Sequence, residues 1–513
     1  MIDPLEQVRV EKLKSIEALG YNPYPTEYRY TDTISKVVET FADKSAEDLE
    51  HNPVKVRVAG RILASRPFGK AGFLGVSDSG AKLQVYAKKD QLPERDFQLY
   101  QLLDIGDFIG VEGNLFRTRT GELTILAKEM TFLAKSFLPL PEKWHGLTDV
   151  EIRYRRRYVD LVVNPEVRDV FVKRSLIIRE LRRFLDDHGY FEVETPILHP
   201  IAGGALAKPF RTHHNALDMP LYLRIAPELY LKRLIVGGMN RVYDLNRNFR
   251  NEGVSYKHNP EYTMLEFYQA YSNYHDLMDL TEEMFKQVVD RVCGKRQVSY
   301  GSHAIDFDNW TRITMAEAIV KYSDDKISAA DLKDREFVER MLKSLHAEYN
   351  PKMPLGSLVG VLFEAVAERH LIQPTIVYEH PVELSPLAKK KYGDPSIVER
   401  FELFIAGMEL ANAYSELNDP IDQKERFEAQ LEVRDLGDEE AHLMDEDYVR
   451  ALSYGMPPTA GEGIGVDRLT MILTDSRSIR DVILFPHMRP EKREGEKGKE
   501  EEEETQTSPV NPG

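Results

Sequence analysis

Only one cysteine, Cys293, occurs in the 513 residues, which excludes an intramolecular disulfide framework and a cysteine zinc cage. It closes an amphipathic helical pattern and reads as inert packing. No apolar run approaches the roughly 20 residues that a bilayer span requires. Met1-Ile-Asp-Pro-Leu-Glu6 also lacks the basic and apolar regions of a secretory leader. A cytoplasmic protein without a membrane partner is expected. Positive charge is short as well: the formal net charge is −17, which argues against indiscriminate nucleic-acid binding while leaving room for a local basic stripe. Seven Glu against two Lys between Glu494 and Glu504 supply −5 of that total, and residues 491–513 read as a disordered acidic tail with little to bury. Regular βαβ spacing is missing too, so an α+β architecture on a mostly antiparallel sheet is expected.

A chain of this length exceeds what one core can organise, so at least two domains are expected. Five short β-like runs, starting at Val54, Gly72, Ala81, Phe108 and Leu123, lie within about eighty residues and are separated by turn signals such as Asp78-Ser-Gly80. That density fits a small barrel of the oligonucleotide-binding kind. Arg61, Phe73, Gln84, Arg117, Arg119 and Glu122 fall on or beside those strands and offer a ring and hydrogen-bonding groups to unpaired bases. Phe73 reads equally well as a core aromatic. A helix is expected from Pro4 to Leu19, a linker at Leu138-Pro-Leu-Pro141, and a second domain from near Thr148. The basic run Ile152-Arg-Tyr-Arg-Arg-Arg-Tyr158 reads as a solvated helix face in preference to an RNA contact. Pro165 to Asp187 carries a 3.6-residue apolar stripe, and Gly189 follows as its stop.

Chemistry concentrates in a few segments. Arg247-Asn-Phe-Arg250-Asn-Glu252-Gly253 precedes a run from Lys257 to Tyr268 that crowds cations, carboxylates, an amide and an imidazole between two strand-like flanks. Arg250 is a forked donor for phosphate or carboxylate, and Tyr262 a flat face for a base. Farther on, Glu402, Asn412, Tyr414 and Glu416 share strand parity, whereas Glu409 needs a bend or bulge to join them. Two carboxylates and an amide oxygen suit Mg²⁺ held against a triphosphate. Gly461-Glu462-Gly463-Ile-Gly465-Val-Asp467-Arg468 permits close backbone approach, with a helix expected at or just after Arg468.

Taken together, these segments resemble the signature motifs of class II aminoacyl-tRNA synthetases. Gly189-Tyr-Phe-Glu-Val-Glu194-Thr-Pro196 is similar to motif 1, Phe249-Arg250-Asn-Glu252-Gly and its following strand to motif 2, and Gly463-Ile-Gly465-Val-Asp-Arg468 to motif 3. Class I strings of the His-Ile-Gly-His and Lys-Met-Ser-Lys-Ser kind are absent. Within the class, Gly203-Gly-Ala, Thr212-His-His-Asn-Ala-Leu-Asp218, Leu223-Arg-Ile-Ala-Pro-Glu-Leu-Tyr-Leu-Lys-Arg233, His258-Asn-Pro-Glu-Tyr-Thr263, Ser415-Glu-Leu-Asn-Asp419 and Asp481-Val-Ile-Leu-Phe-Pro486 resemble the lysyl-tRNA synthetases of bacterial type.

The resemblance implies an OB-fold anticodon-binding domain over residues 1–145 and a class II antiparallel catalytic domain over 146–490, in a homodimer acting on L-lysine, ATP and tRNA(Lys) with Mg²⁺. It implies that Arg250 and Arg468 are catalytic. Arg250, Glu252, His258, Asn259, Tyr262, Glu402, Glu409, Gly465 and Arg468 would hold ATP, with Glu402 and Glu409 on the metal. Gly204, Glu228, Arg250, Glu266, Tyr268, Asn412, Tyr414 and Glu416 would hold lysine, and Arg61, Phe73, Gln84 and Glu122 would read the anticodon. The chain departs from the commonest family pattern at Tyr262 and Tyr414, where Phe is frequent, and at Glu462, where Leu is frequent; Glu462 places extra negative charge beside the nucleotide region. A cationic substrate calls for a pocket that ends in carboxylates and offers no facing cation, and Glu266 with Glu416 meets that requirement. Two other readings are a relative that lysylates protein or makes signalling dinucleotides, and a catalytically dead RNA-binding module. The barrel residues Phe73 and Gln84 oppose a protein-modifying form. The joint presence of Arg250, Glu252, Glu402, Glu409 and Arg468 opposes the dead module.

Overall fold

Alternating apolar residues close the first fold unit on itself. In a computed structural model describing residues 4–141, 147–205, 207–253, 255–324, 326–435 and 443–490, the chain divides into two units, Met1–Arg168 and Asp169–Gly513. The expected tail 491–513 lies outside the described residues. The first unit begins with helix α1 (Pro4–Ala18) and builds a barrel from β1 (Lys55–Phe68), β2 (Ala71–Asp78), β3 (Ala81–Lys88), β4 (Phe108–Arg117) and β5 (Leu123–Ala134). The strand order β1-β2-β3-β5-β4 closes because β1 pairs with both β2 and β4. Alternate residues such as Val56, Val58, Leu74, Val76, Leu83, Val85, Val111 and Ile125 fill its interior.

The basic run at residues 152–158 is a solvated face only in part: Ile152, Arg156 and Tyr158 are exposed, but Tyr154 and Arg157 are buried. It forms parts of two short helices, Val150–Arg155 and Arg157–Val163. Arg157 is buried and donates to Asp160 Oδ2 at 2.6 Å, while Arg153 Nε donates to Asp160 Oδ1 at 3.0 Å. A buried carboxylate three residues along the helix explains the difference, because an unpaired guanidinium could not be buried there.

Helix α2 spans Pro165–Asp187, all but its first four residues in the second unit, and Gly189 follows in the left-handed conformation at φ +77°. The main sheet contains β6 (Phe191–Glu192), β7 (Arg241–Phe249), β8 (Glu261–Ala270), β9 (Thr311–Thr314), β10 (Thr375–Pro381), β11 (Lys390–Lys391), β12 (Asp394–Ile405), β13 (Met408–Ser415) and β14 (Thr459–Gly465). Its order is β9-β10-β12-β13-β14-β8-β7-β6, with β11 on β12. Pairing is antiparallel except at the two ends, β9–β10 and β7–β6.

Strand alternation gives the sheet two unlike faces. Tyr243, Leu245, Leu265, Phe267, Ala413 and Ile464 share one core with Leu181 and Phe184 of α2, Phe285 and Val288 of α4 (Tyr274–Cys293), and Leu469 and Ile472 of α6 (Val466–Thr474). On the opposite face, helix α3 (Glu228–Val236) shares a smaller cluster with Val242, Tyr268 and Tyr448, the last from α5 (Glu446–Ser453). Cys293 ends α4, and burial pushes its thiol up, in keeping with inert packing.

Glu462 belongs to the helix-covered face. It pairs in register with Phe267 and Ala413, and its Oε2 accepts from Thr281 of α4 at 2.6 Å. Burial pushes its carboxyl up to about 8. The residue is therefore neutral near pH 7 and adds no charge beside the nucleotide segment, contrary to the expectation from its neighbours in sequence. The folded chain holds this proton more tightly than the unfolded chain, where 4.5 is the ordinary value. Its contribution to stability is thus intact below that range and is lost as pH rises toward about 8. Glu462→Gln should raise the melting temperature of this unit more at pH 8.5 than at pH 5; calorimetry showing a pH-independent difference would contradict the assignment.

Candidate active site

The pocket lies on the second unit's other face, where every second residue of β8 points: Tyr262, Met264, Glu266 and Tyr268. In register beside them, β14 presents Gly465, Gly463 and Gly461, so this stretch of floor carries no side chains. A Cβ on Gly461 would stand 2.3 Å from both Glu416 Oε1 and the Tyr268 ring, and one on Gly463 would stand 2.3 Å from Met264 Cε. Gly204 completes the rim at φ +90°, a conformation that excludes other residues at little cost only to glycine. The lining includes Gly204, Glu228, Arg250, Glu266, Tyr268, Arg400, Glu409, Asn412 and Tyr414.

Glu402 and Asn412 do not share one strand. Ala406 (φ +53°) and Gly407 (φ +67°) turn the chain between β12 and β13, and Glu402 pairs across the hairpin with Asn412. A register shift follows: Leu403 pairs with Ala411 but Phe404 with Glu409, leaving Leu410 as the extra residue. The bulge that the parity of Glu409 required is therefore present, and it sets Glu409 in phase with Asn412 and Tyr414. Helix α6 starts at Val466, two residues earlier than expected, so Arg468 sits in its first turn. Asp467 fixes that turn by accepting from Arg174 of α2 at 2.5 Å and from the Thr263 backbone N–H at 2.7 Å.

At one end of the site, Arg250 stands 5.3 Å from the Tyr262 ring centroid. Arg250 Nε, Asn259 Oδ1 and Tyr262 OH are buried polar atoms without a partner among the described residues. Such atoms are rare unless a ligand completes their shell. Arg468 Nη1 donates to the Glu409 backbone carbonyl at 2.5 Å, and its Nη2 lies 3.4 Å from His258 Nε2. Burial, then the Arg468 charge, hold the His258 imidazole below its ordinary range, so it is neutral. Glu252 sits in the same loop between β7 and β8, close enough for its charge to act on Arg250.

The other end is acidic. Glu228, Glu266 and Glu416 are all buried. Glu228 Oε1 accepts from Tyr414 OH at 2.5 Å and from Lys232 Nζ at 2.6 Å, while Tyr268 OH reaches Glu266 Oε2 at 3.5 Å. Burial, then the Glu228 charge, push the Glu266 carboxyl well up. Lys232 also pairs with Glu416, so these acids do have a facing cation, unlike the sequence expectation. The i,i+4 spacing of Glu228 and Lys232 was its only signal, and that spacing usually marks a surface pair.

Three further residues escaped the sequence reading. Arg400 donates to Asn412 Oδ1 at 3.0 Å and to Ser385 Oγ at 2.7 Å, and pairs with Glu402; its parity with Glu402 could have revealed it. Glu364 and Glu368 lie near Glu402 and Glu409, and both carboxyls are pushed up by burial first; Glu368, Glu402 and Glu409 add to it at Glu364, while at Glu368 the Lys257 ammonium, 3.6 Å away, offsets part of it before Glu409 and Glu402 add their charge. That crowding of acids fits a cation at Glu402 and Glu409. Among the described residues no cluster of three or more side chains forms a cage for one, so further oxygens would have to come from a ligand.

On the barrel, Phe73 faces outward and stacks on Tyr86 with centroids 4.8 Å apart, within a row that runs from Phe68 to Phe116. Gln84 is on the same outer surface and accepts from Thr124 Oγ1 at 2.9 Å. Glu122 is exposed where β5 begins. Arg61 is not beside Phe73: it pairs with Ser77, lies over the Phe108 ring and donates to the Gly106 carbonyl at 3.1 Å. The residue in register with Phe73 is the exposed Arg66.

Residues 149–489 match the family model described as tRNA synthetases class II (D, K and N), and residues 56–133 match the OB-fold nucleic acid binding domain. A lysine–tRNA ligase of Carboxydothermus hydrogenoformans is 54% identical over 490 residues, covering 95% of this chain and 99% of that protein. The lysine–tRNA ligase of Moorella thermoacetica is 53% identical over 487 residues, covering 95% and 98%. That of Halalkalibacterium halodurans is 52% identical over 489 residues, covering 95% and 97%.

The glycine floor generates a direct test. Gly461→Ala drives a methyl group into Tyr268 and Glu416, and should lower unfolding stability by about 1–3 kcal/mol, as overpacking does; a neutral result in denaturant titration would mean that the floor has slack.

Proposed function

The chain belongs to the class II tRNA synthetases of the D, K and N group, and we propose that it works there as the lysine-specific member, activating L-lysine with ATP and charging tRNA(Lys) for translation. One observation carries the choice of amino acid. Glu228, Glu266 and Glu416 are buried together against a single internal ammonium, Lys232. With all three ionised, a surplus of two negative charges remains. The α- and ε-ammonium groups of lysine match that surplus, while the orphaned Arg250 receives its carboxylate. Aspartate or asparagine would leave carboxylates unpaired in a buried site.

Gly204 and Glu228 take the α-ammonium, and Glu266, Tyr268 and Glu416 the side-chain ammonium, with Asn412 and Tyr414 walling the pocket. Asn259 and Glu252 place the adenosine, Tyr262 and Arg468 flank the base beside Gly465, and neutral His258 approaches the phosphates. The lysine carboxylate, already ionised at neutral pH, attacks the α-phosphorus without a general base. The bond to the β-phosphate breaks and pyrophosphate leaves. Arg250 and Arg468 offset the charge that develops. Glu402 and Glu409 would hold Mg²⁺, which when bound neutralises phosphate charge. The terminal ribose hydroxyl of the tRNA then attacks the mixed anhydride, giving the ester and AMP.

In this reading residues 1–145 serve the anticodon and 146–490 the chemistry. Phe73, Gln84 and Glu122 offer stacking and hydrogen bonds to unpaired bases; Arg61 is the weakest of the four expected contacts, since its guanidinium is engaged elsewhere. Among the described residues no helix is long and apolar enough to cross a membrane. Charging tRNA places the work in the cytoplasm. A homodimer accounts for the exposed apolar side chains Val172, Phe191, Ile197 and Leu198, and sedimentation at the monomer mass would remove it.

Lysine-dependent exchange of pyrophosphate into ATP tests the core of the proposal, with aspartate and asparagine as controls. Exchange is expected with lysine alone, and Phe73→Ala should leave it intact while slowing tRNA charging at least tenfold. No response to lysine would overturn the substrate. Since the Glu266 carboxyl is pushed up and must lose its proton to meet an ammonium, the lysine KM should fall as pH rises from 6 to 8.5.

A further inference from the structure

Lys232 is fully buried one turn after Glu228 on α3. It does not line the pocket. Its Nζ donates to Glu228 Oε1 at 2.6 Å and pairs with Glu416 Oε2. The rings of Tyr414 and Tyr448 lie 5.4 Å and 6.0 Å from it. Glu416 meets Lys232 through Oε2, while its Oε1 stands 2.3 Å from where a Cβ on Gly461 would be, on the pocket-facing side of that glycine. Burying an ammonium is expensive, and an apolar side chain of similar volume would pack the same space at less cost. Stability alone therefore does not account for a lysine here.

We propose that Lys232 is a positioning and specificity residue, a fixed internal cation that pairs with both Glu228 and Glu416 and holds them toward the pocket so that it selects an amino acid bearing two ammonium groups. This rests on the lysine reading given above. The groups around Lys232 leave it no substitute. Glu228 approaches from its own helix, Tyr414 and Glu416 from β13 and its C-terminal extension, and Tyr448 from α5. Tyr268 and Glu266 of β8 lie beyond Glu416. Arg233, the neighbouring cation on α3, is engaged with Asp445 at 2.9 Å and with Asp447. Burial pushes the Glu416 carboxyl well up; Lys232 is the next largest influence and pulls it back, and Glu228 adds to the rise. Removing Lys232 would leave two buried carboxyl groups in mutual repulsion, and one would take a proton. The pocket would then present a neutral acid to a substrate ammonium.

The test compares wild type, Lys232→Met and Lys232→Ala by lysine-dependent pyrophosphate exchange across pH 6–9. For Lys232→Met, which keeps the volume and removes the charge, the lysine KM should rise at least tenfold at pH 7 with kcat changed less than threefold. The ATP KM should be unchanged, which also reports a correctly folded site. The gap to wild type should narrow as pH rises and the acids ionise. For Lys232→Ala, n-propylammonium should restore lysine affinity in part and 1-propanol should not. If Lys232→Met fails to fold, the alanine variant with the two additives decides the question, and if both fail, propylammonium should restore the folding of the alanine variant where propanol does not. A lysine KM unchanged at every pH, or equal rescue by propanol, overturns the inference and reduces Lys232 to packing. Absence of lysine-dependent exchange in the wild type would instead refute the substrate reading.

Discussion

Carboxylates cannot be buried within reach of one another unless positive charge accompanies them. Glu228, Glu266 and Glu416 break that rule only in part, because the fold supplies a single ammonium and leaves the remainder for whatever enters. Much of the surrounding structure follows from this. Helix α3 must present Glu228 and Lys232 on one side, β8 must carry Glu266 and Tyr268 in phase, and the chain after β13 must bring Glu416 against the pocket-facing side of Gly461. Tyrosine hydroxyls meet two of the three acids, Tyr414 on Glu228 and Tyr268 toward Glu266, while Glu416 Oε1 has no hydrogen-bond partner among the described residues.

The second organising device is the unlike character of the two sheet faces. A strand such as Thr459–Gly465 serves both, with Glu462 and Ile464 toward the helices and three glycines toward the pocket face. Rigidity comes from the helix-covered side. Asp467 receives both Arg174 and a β8 backbone N–H, tying α2, β8 and α6 at the point from which Arg468 departs. The turn that carries Arg468 is thus fixed by a network whose members, Asp467, Arg174 and Thr263, do not line the pocket.

Local pattern revealed a large part of this fold. Alternation and turn residues were enough to place all five barrel strands, and the apolar stripe with Gly189 bounded helix Pro165–Asp187 at the residues observed. The segment around Arg250 was legible because its polar crowding has no role in a core. What stayed hidden depended on contacts distant in sequence or on turns without strong punctuation. The hairpin at Ala406-Gly407 lacks the usual Asn-Gly or Asp-Gly signal, so Glu402 and Asn412 looked like one strand. The role of Lys232 went unnoticed and Arg157 was read into a solvated face, because burial is invisible at i,i+3 and i,i+4 spacing. Glu462 misled for the opposite reason: sequence proximity to glycines said nothing about which face it occupies.

The first unit has its own consequence. A barrel in which β1 pairs with both β2 and β4 has no open edge, so its backbone amides and carbonyls are committed to the ladder and another strand cannot be added. Anything it recognises must be met by outward side chains, such as the row from Phe68 to Phe116 and the Arg66, Gln84 and Glu122 near it. Preference can then change one residue at a time without disturbing the interior, which makes the barrel a surface whose taste in nucleotides can drift while its scaffold stays the same.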